Sequence, residues 1–252
     1  MNVPIVIALC FAPFLLCFLL FRFAFRLRLS TELAAGLLGL LAVLPIAFMQ
    51  LFLEQSVFQD GMIVGGISGT LFLRALFFNG LIEEAVKVVF LFFIPSKRLS
   101  FREFFLAGLL FGICLGSFES AAYFLTHLQQ ANGRGAELLY HLIFVRMASS
   151  DVIHACCAGL GAVFVRAVRS RKAYVAPLVF AVLIHGIFDF FAGFDGILRW
   201  FSAGAVLLGI LECRICFMKW QENERPAPER KEAAPQAAGP AESVSAGRTP
   251  HA

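Results

Sequence analysis

The chain has 252 residues, of which 60% are hydrophobic and only 15% charged, with 30 Phe and a formal net charge of +4. So little charge cannot cover the surface of a water-soluble domain of this length, so the composition excludes a soluble globular protein and points to a lipid bilayer as solvent. The small positive excess is accounted for by loops flanking apolar segments, and nucleic acid is not an expected partner.

A spanning helix needs about 20 mostly apolar residues. Seven stretches approach that length: Val3–Phe21, Leu33–Leu53, Leu71–Ile94, Phe104–Leu125, His141–Val165, Ala173–Phe194 and Gly196–Phe217. The expectation is an all-α polytopic bundle of about seven transmembrane helices. No basic residue precedes the first stretch and no small-residue cleavage site closes it, so it reads as a retained helix rather than a signal peptide.

Basic residues fall in alternate loops. Arg22, Arg26 and Arg28 follow the first span, Lys97, Arg98 and Arg102 the third, and Arg166, Arg169, Arg171 and Lys172 the fifth. The intervening loops carry Glu54 and Asp60, then Arg134 and Glu137, then Asp195 and Arg199. One positive-inside assignment satisfies every loop: N-terminus outside, C-terminus cytoplasmic, with Arg214 and Lys219 anchoring the last helix. From Gln221 the composition turns to Pro, Ala, Glu and Gly, too poor in apolar bulk to fold. The expected organisation is a transmembrane catalytic domain over residues 1–220, with core helices over about 71–194, and a disordered cytoplasmic tail over 221–252.

The third span is the anomalous one. Its roughly 16 Leu, Ile, Val and Phe residues favour insertion by about 0.5 kcal/mol each, whereas Glu83, Glu84 and Lys87 near its centre cost about 3 kcal/mol apiece. The sums nearly cancel, and ionisable groups at such a position mark a functional site with partners on neighbouring helices. Those partners are present. The fourth span holds Phe118-Glu119 and Tyr123, the fifth Asp151 and His154, and the sixth His185 and Asp189. Pairs three or four residues apart share one helix face, and lipid would reject them, so the four spans turn these groups inward.

At 1.5 Å per residue, Glu83, Glu119, His154 and His185 lie roughly 18, 9, 20 and 13 Å from the outer ends of their spans, which places them near the midplane of a ~30 Å core. Gly108, Gly112 and Gly116 form a small-xxx-small stripe leading to Glu119, which lets a neighbouring helix pack closely. Seven cysteines are scattered, mostly within spans, and Cys213-x-x-Cys216 has no second pair at zinc spacing, so packing is the expected role.

Two imidazoles and a carboxylate are ligands that zinc accepts for catalysis, and a further carboxylate can take the proton of the metal-bound water. No His-Glu-x-x-His motif is present, so such a site has to be assembled between helices. Composition and spacing leave two readings open: a membrane hydrolase, and a proton-coupled transporter using Glu–Lys and His–Asp pairs as a relay. A catalytically silent membrane scaffold is a third.

The ordered set Glu83-Glu84-x-x-Lys87, Phe118-Glu119-x-x-x-Tyr123, His154-Ala155 with Gly159, and His185-x-x-x-Asp189 resembles the four motifs of the PrsW family of intramembrane proteases. That family sits in a wider group of glutamate-dependent membrane proteases that includes the type II CAAX prenyl endopeptidases. The resemblance implies a membrane-anchored protein substrate, with an anti-sigma factor cut on the outer side in the best-known members. It implies Glu83 and Glu84 as the catalytic carboxylate pair, with Glu119, His154 and His185 completing the site. Lys87 would neutralise the pair and Asp189 would orient His185. Zinc is the expected cofactor, held by His154, His185 and Glu119 or Glu84, with Glu83 as general base.

Overall fold

In the computed structural model, residues 3–57, 66–95, 99–130 and 136–224 are described; Asp60, Lys97, Arg98, Arg134 and everything after Glu224 lie outside them. Among the described residues the chain is helical throughout, with no strand. Helix α1 (Val3–Cys10) and α2 (Ala12–Phe23) form one apolar run bent by 43°. Pro13 explains the break, because its ring cannot donate into the preceding turn and clashes with it. The remaining helices are α3 (Leu29–Val57), α4 (Gly66–Arg74), α5 (Glu84–Leu91), α6 (Phe101–Gln130), α7 (Ala136–Arg169), α8 (Ala176–Ala192) and α9 (Trp200–Glu224). A π-helical stretch over Ala75–Glu83 joins α4 to α5, and a 3₁₀ turn over Gly196–Arg199 precedes α9.

Four helices are long and apolar enough to cross a membrane by themselves: Leu29–Ser56, Phe101–Leu128, Tyr140–Arg169 and Gly196–Glu222. The bent α1–α2 pair makes a fifth. Two of the seven expected spans fall short of that test in different ways. Helix α8 is apolar but has 17 residues, and the third stretch is divided among α4, the π-helical segment and α5. Helix α9 also runs past the expected boundary at 220, to Glu224.

Helices α6 and α7 are the centre of the bundle. Their apolar windows are 72% and 78% buried, against 22% and 28% for α3 and α9, which turn rows such as Leu33, Leu37, Leu44 and Phe48 outward. The glycine stripe explains the close α6–α7 approach. A Cβ on Gly108 would stand 2.7 Å from the Ala162 Cβ, one on Gly112 2.2 Å from the His154 carbonyl oxygen, and one on Gly116 2.9 Å from the Asp151 Cα. The stripe therefore packs helices, as expected, and two of its three members press directly on the backbone that carries His154 and Asp151.

Helix ends are fixed by local chemistry. Ser100 and Glu103 form a reciprocal cap at the start of α6: the Glu103 N–H donates to Ser100 Oγ at 3.3 Å, and the Ser100 N–H donates to Glu103 Oε2 at 2.8 Å. Arg169, at the end of α7, donates to the Phe92 and Ile94 carbonyls beyond the end of α5 at 2.5 and 3.1 Å. It thereby satisfies orphan carbonyls that the helix itself leaves open. Cys213 and Cys216 are buried with Cys156, Cys157 and Trp220 in a core between α7 and α9, and all seven cysteines carry free thiols.

Candidate active site

The site begins with the irregular helix. In a π-helical turn, the extra residue shifts side chains relative to an α-helix, a geometry common at functional positions. Here it spans Asn79-Gly80 and ends on Glu83. Its approach to α8 is set by a pair of glycines. A Cβ on Gly80 would stand 2.6 Å from the Val182 carbonyl oxygen, and one on Gly186 2.8 Å from the Leu76 Cα. Because Gly186 follows His185 and Gly80 lies one turn before Glu84, the same contact brings Glu84 and His185 together.

The expected residues converge. Lys87 Nζ, fully buried, donates to Glu84 Oε1 at 2.6 Å, lies 2.9 Å from His154 Nδ1 and 3.8 Å from Glu83 Oε2. Glu84 Oε1 also meets His185 Nδ1 at 2.7 Å. The two imidazole rings stand edge to face with centroids 4.9 Å apart. His154 Nε2 is in direct contact with the Glu119 carboxylate, whose side chain is 43% exposed while that of His154 is 2% exposed.

The partners fix ring roles. An ammonium can only donate, so His154 Nδ1 accepts from Lys87 and Nε2–H donates to Glu119. His185 donates its Nδ1 proton to Glu84, which turns its Nε2 toward Glu83 Oε2 at 3.7 Å and Asp189 Oδ2 at 3.5 Å. The closer orienting partner of His185 is thus Glu84, with Asp189 farther off and beside Asn79.

Not every expected residue enters the cluster. Asp151 is buried beside it but accepts from Ser120 Oγ at 2.8 Å and Ser117 Oγ at 3.3 Å, clamping α6 to α7. Tyr123 stacks on His127 and lies under the Arg146 guanidinium, 4.4 Å from its ring centroid. Two residues escaped the motif reading. Arg146 Nη2 donates to Glu119 Oε1 at 2.8 Å and to Ser150 Oγ at 3.1 Å. Gln50 of α3 donates to Glu83 Oε1 at 2.9 Å. The signal for Arg146 was available, since Arg146, Ser150 and His154 fall at i, i+4 and i+8 on one face of an apolar span. A single amide in the second apolar stretch gave no comparable signal for Gln50.

Glu83 Oε2 is buried and has no hydrogen-bond partner, which sets it apart in a cluster where every other acid is engaged. Two sets of donor atoms lie within 4.8 Å of one another among the described residues: Glu83, His154 and His185, and Glu84, Cys157 and His185. Glu119 belongs to neither. Counting formal charge with both imidazoles neutral, four carboxylates (Glu83, Glu84, Glu119, Asp189) face two cations (Lys87, Arg146); solvent can balance part of the remaining negative charge at half-exposed Glu119, and protons or a cation the rest. Two donors of the first set fit a divalent ion in kind. Its Glu83 oxygen has no partner, and its His185 Nε2 is backed by Nδ1–H on a carboxylate, the usual support of a metal-binding imidazole. Its third donor, His154 Nδ1, accepts from Lys87 and could ligate only after Lys87 had released it.

Residues 28–211, from the start of α3 into α9, match the PrsW family intramembrane metalloprotease. The chain belongs to the PrsW family. No curated protein and no solved structure matches it. The PrsW match covers every residue of the cluster and leaves α1 and α2 outside. Together with the apolar helices, it makes this a multi-pass membrane protein of an intramembrane protease family.

Proposed function

We propose that the chain hydrolyses peptide bonds of membrane-anchored proteins within a seven-span bundle, with the N-terminus outside and the C-terminus cytoplasmic, and that Glu83 is the general base. The observation that carries this reading is the orphaned Glu83 Oε2, 3.7 Å from His185 Nε2 and 3.9 Å from His154 Nδ1. These separations are too long for direct hydrogen bonds and suit a shared water. Glu83 Oε2 takes the proton of that water as its oxygen adds to the scissile carbonyl carbon, and later returns a proton to the leaving amine. Gln50 on Oε1 keeps the other oxygen aimed at the water. Lys87 supports the developing negative charge from behind His154, and Glu84 holds the His185 ring in place.

Were a divalent ion held instead, as the family's description as a metalloprotease implies, the fitting donors are Glu83, His154 and His185; Glu83 would then be a ligand rather than the base, and the ion, zinc by the sequence expectation, would supply a water acidic enough to attack at neutral pH. Glu119, half exposed and touching His154 Nε2, is then the carboxylate left to carry a proton between site and solvent. The family resemblance points the substrate toward a membrane-anchored anti-sigma factor, cut on the outer side of the membrane that the loop charges define.

The test is cleavage of transmembrane-anchored peptides by purified protein, with bound metal measured in parallel. His154→Ala and His185→Ala should each abolish cleavage and, if the ion is held as described, lower bound zinc. Stoichiometric zinc retained in the double variant overturns the ligand set. Full activity after exhaustive chelation overturns the metal requirement while leaving Glu83 as base.

A further inference from the structure

Beside the cluster lies a cavity of about 640 Å³ between α3, the α4–π-helical segment and α8, within the ~300–1,000 Å³ range of ordinary ligand sites. Its walls are apolar, with Leu51, Leu71, Phe78, Phe190 and Phe194. At one end stand Glu54 and Arg74, ion-paired across α3 and α4 and somewhat under half exposed. At the other are Gln50, Asn79 and Asp189. These polar residues also adjoin the cluster: Gln50 bonds Glu83, Asp189 faces His185, and Asn79 stands beside Asp189. The cavity and the site therefore share a wall of amide and carboxylate groups.

We propose that this cavity seats the substrate chain flanking the scissile bond, in extended form with a large apolar side chain against the phenylalanines, and that Gln50 is the positioning residue that holds Glu83 for attack. The inference rests on the protease reading above. An unwound segment has unpaired backbone N–H and C=O groups that cannot remain bare in an apolar setting. The polar wall offers them partners next to the base, and the apolar walls take the side chains. Gln50 serves both surfaces. One amide proton fixes Glu83 Oε1, so Oε2 is the oxygen of that carboxylate left to meet a water between the imidazoles. A base free to rotate about its χ angles would lose that alignment, and misplacement of this size costs about 100-fold in rate.

Steady-state cleavage of a fluorogenic transmembrane peptide that the wild-type protein cleaves separates the two halves of the claim. Gln50→Met keeps the side-chain length and removes the donor, so kcat should fall about 10- to 100-fold with KM within about twofold. Gln50→Asn keeps an amide one methylene shorter and should recover part of that loss, which a purely structural role would not produce. Ala47→Phe narrows the cavity without touching Glu83 and should raise KM about tenfold or more. Wild-type kcat in Gln50→Met, or wild-type KM in Ala47→Phe, overturns the inference. An inactive Glu83→Gln assayed alongside would show that the protease reading survives that failure, whereas a fully active Glu83→Gln would remove both.

Discussion

Glu83 and Lys87 illustrate how differently two buried charges in one cluster respond to removal. Replacing Glu83 by Gln retains the Oε1 acceptor for Gln50 and discards an oxygen that has no partner, so folding should be untouched. Loss of the base should lower the cleavage rate about 10²- to 10⁴-fold at normal membrane abundance, as read by peptide cleavage and immunoblot. Lys87→Met strips Glu84 and His154 of the group that bonds both. A buried ion pair broken on one side costs about 3–5 kcal/mol, so this variant should lose activity and melt markedly earlier in detergent. Equal melting temperatures for Lys87→Met and wild type would contradict the ion-pair account.

Among elements, the π-helical stretch and α8 are the pair on which the site depends. Their backbones meet at Gly80 and Gly186, where a methyl group cannot fit without parting them. Gly80→Ala should therefore lower stability by about 1–3 kcal/mol through overpacking and lower cleavage by separating Glu84 from His185. Gly204→Ala on α9 is the matched control. Its Cβ would meet nothing within 4 Å, and Ala favours helix, so that variant should be neutral or slightly more stable. Thermal unfolding of the two proteins side by side decides it, and equal destabilisation would show that the Gly80 contact is not limiting.

For the whole molecule, the division between a buried α6–α7 centre and lipid-facing α3 and α9 confines chemistry to the interior. The loop charges imply that a reporter fused after Trp220 is active only in the cytoplasm; activity solely on the other side would reverse the topology and the side on which substrate is cut. Truncation after Glu224 should leave cleavage unchanged, because the described residues of the cluster and cavity all precede it. A truncated protein that is stable but inactive would give the tail a role in catalysis.

The sequence by itself determined the class and the inventory: apolar stretches that require a bilayer, and acids, imidazoles and a lysine that an apolar helix tolerates only if they face partners. The irregular π-helical turn over Ala75–Glu83 was added by the structure. Which atoms meet was decided by tertiary structure. Periodicity assigns a face to His185 but cannot say that Glu84 rather than Asp189 holds it most closely, because that depends on how near two backbones come at Gly80 and Gly186. Gln50 was out of reach for the same reason. One amide on a lipid-facing helix carries no pattern, and its role arises only because α3 packs against the π-helical turn 33 residues later in the chain.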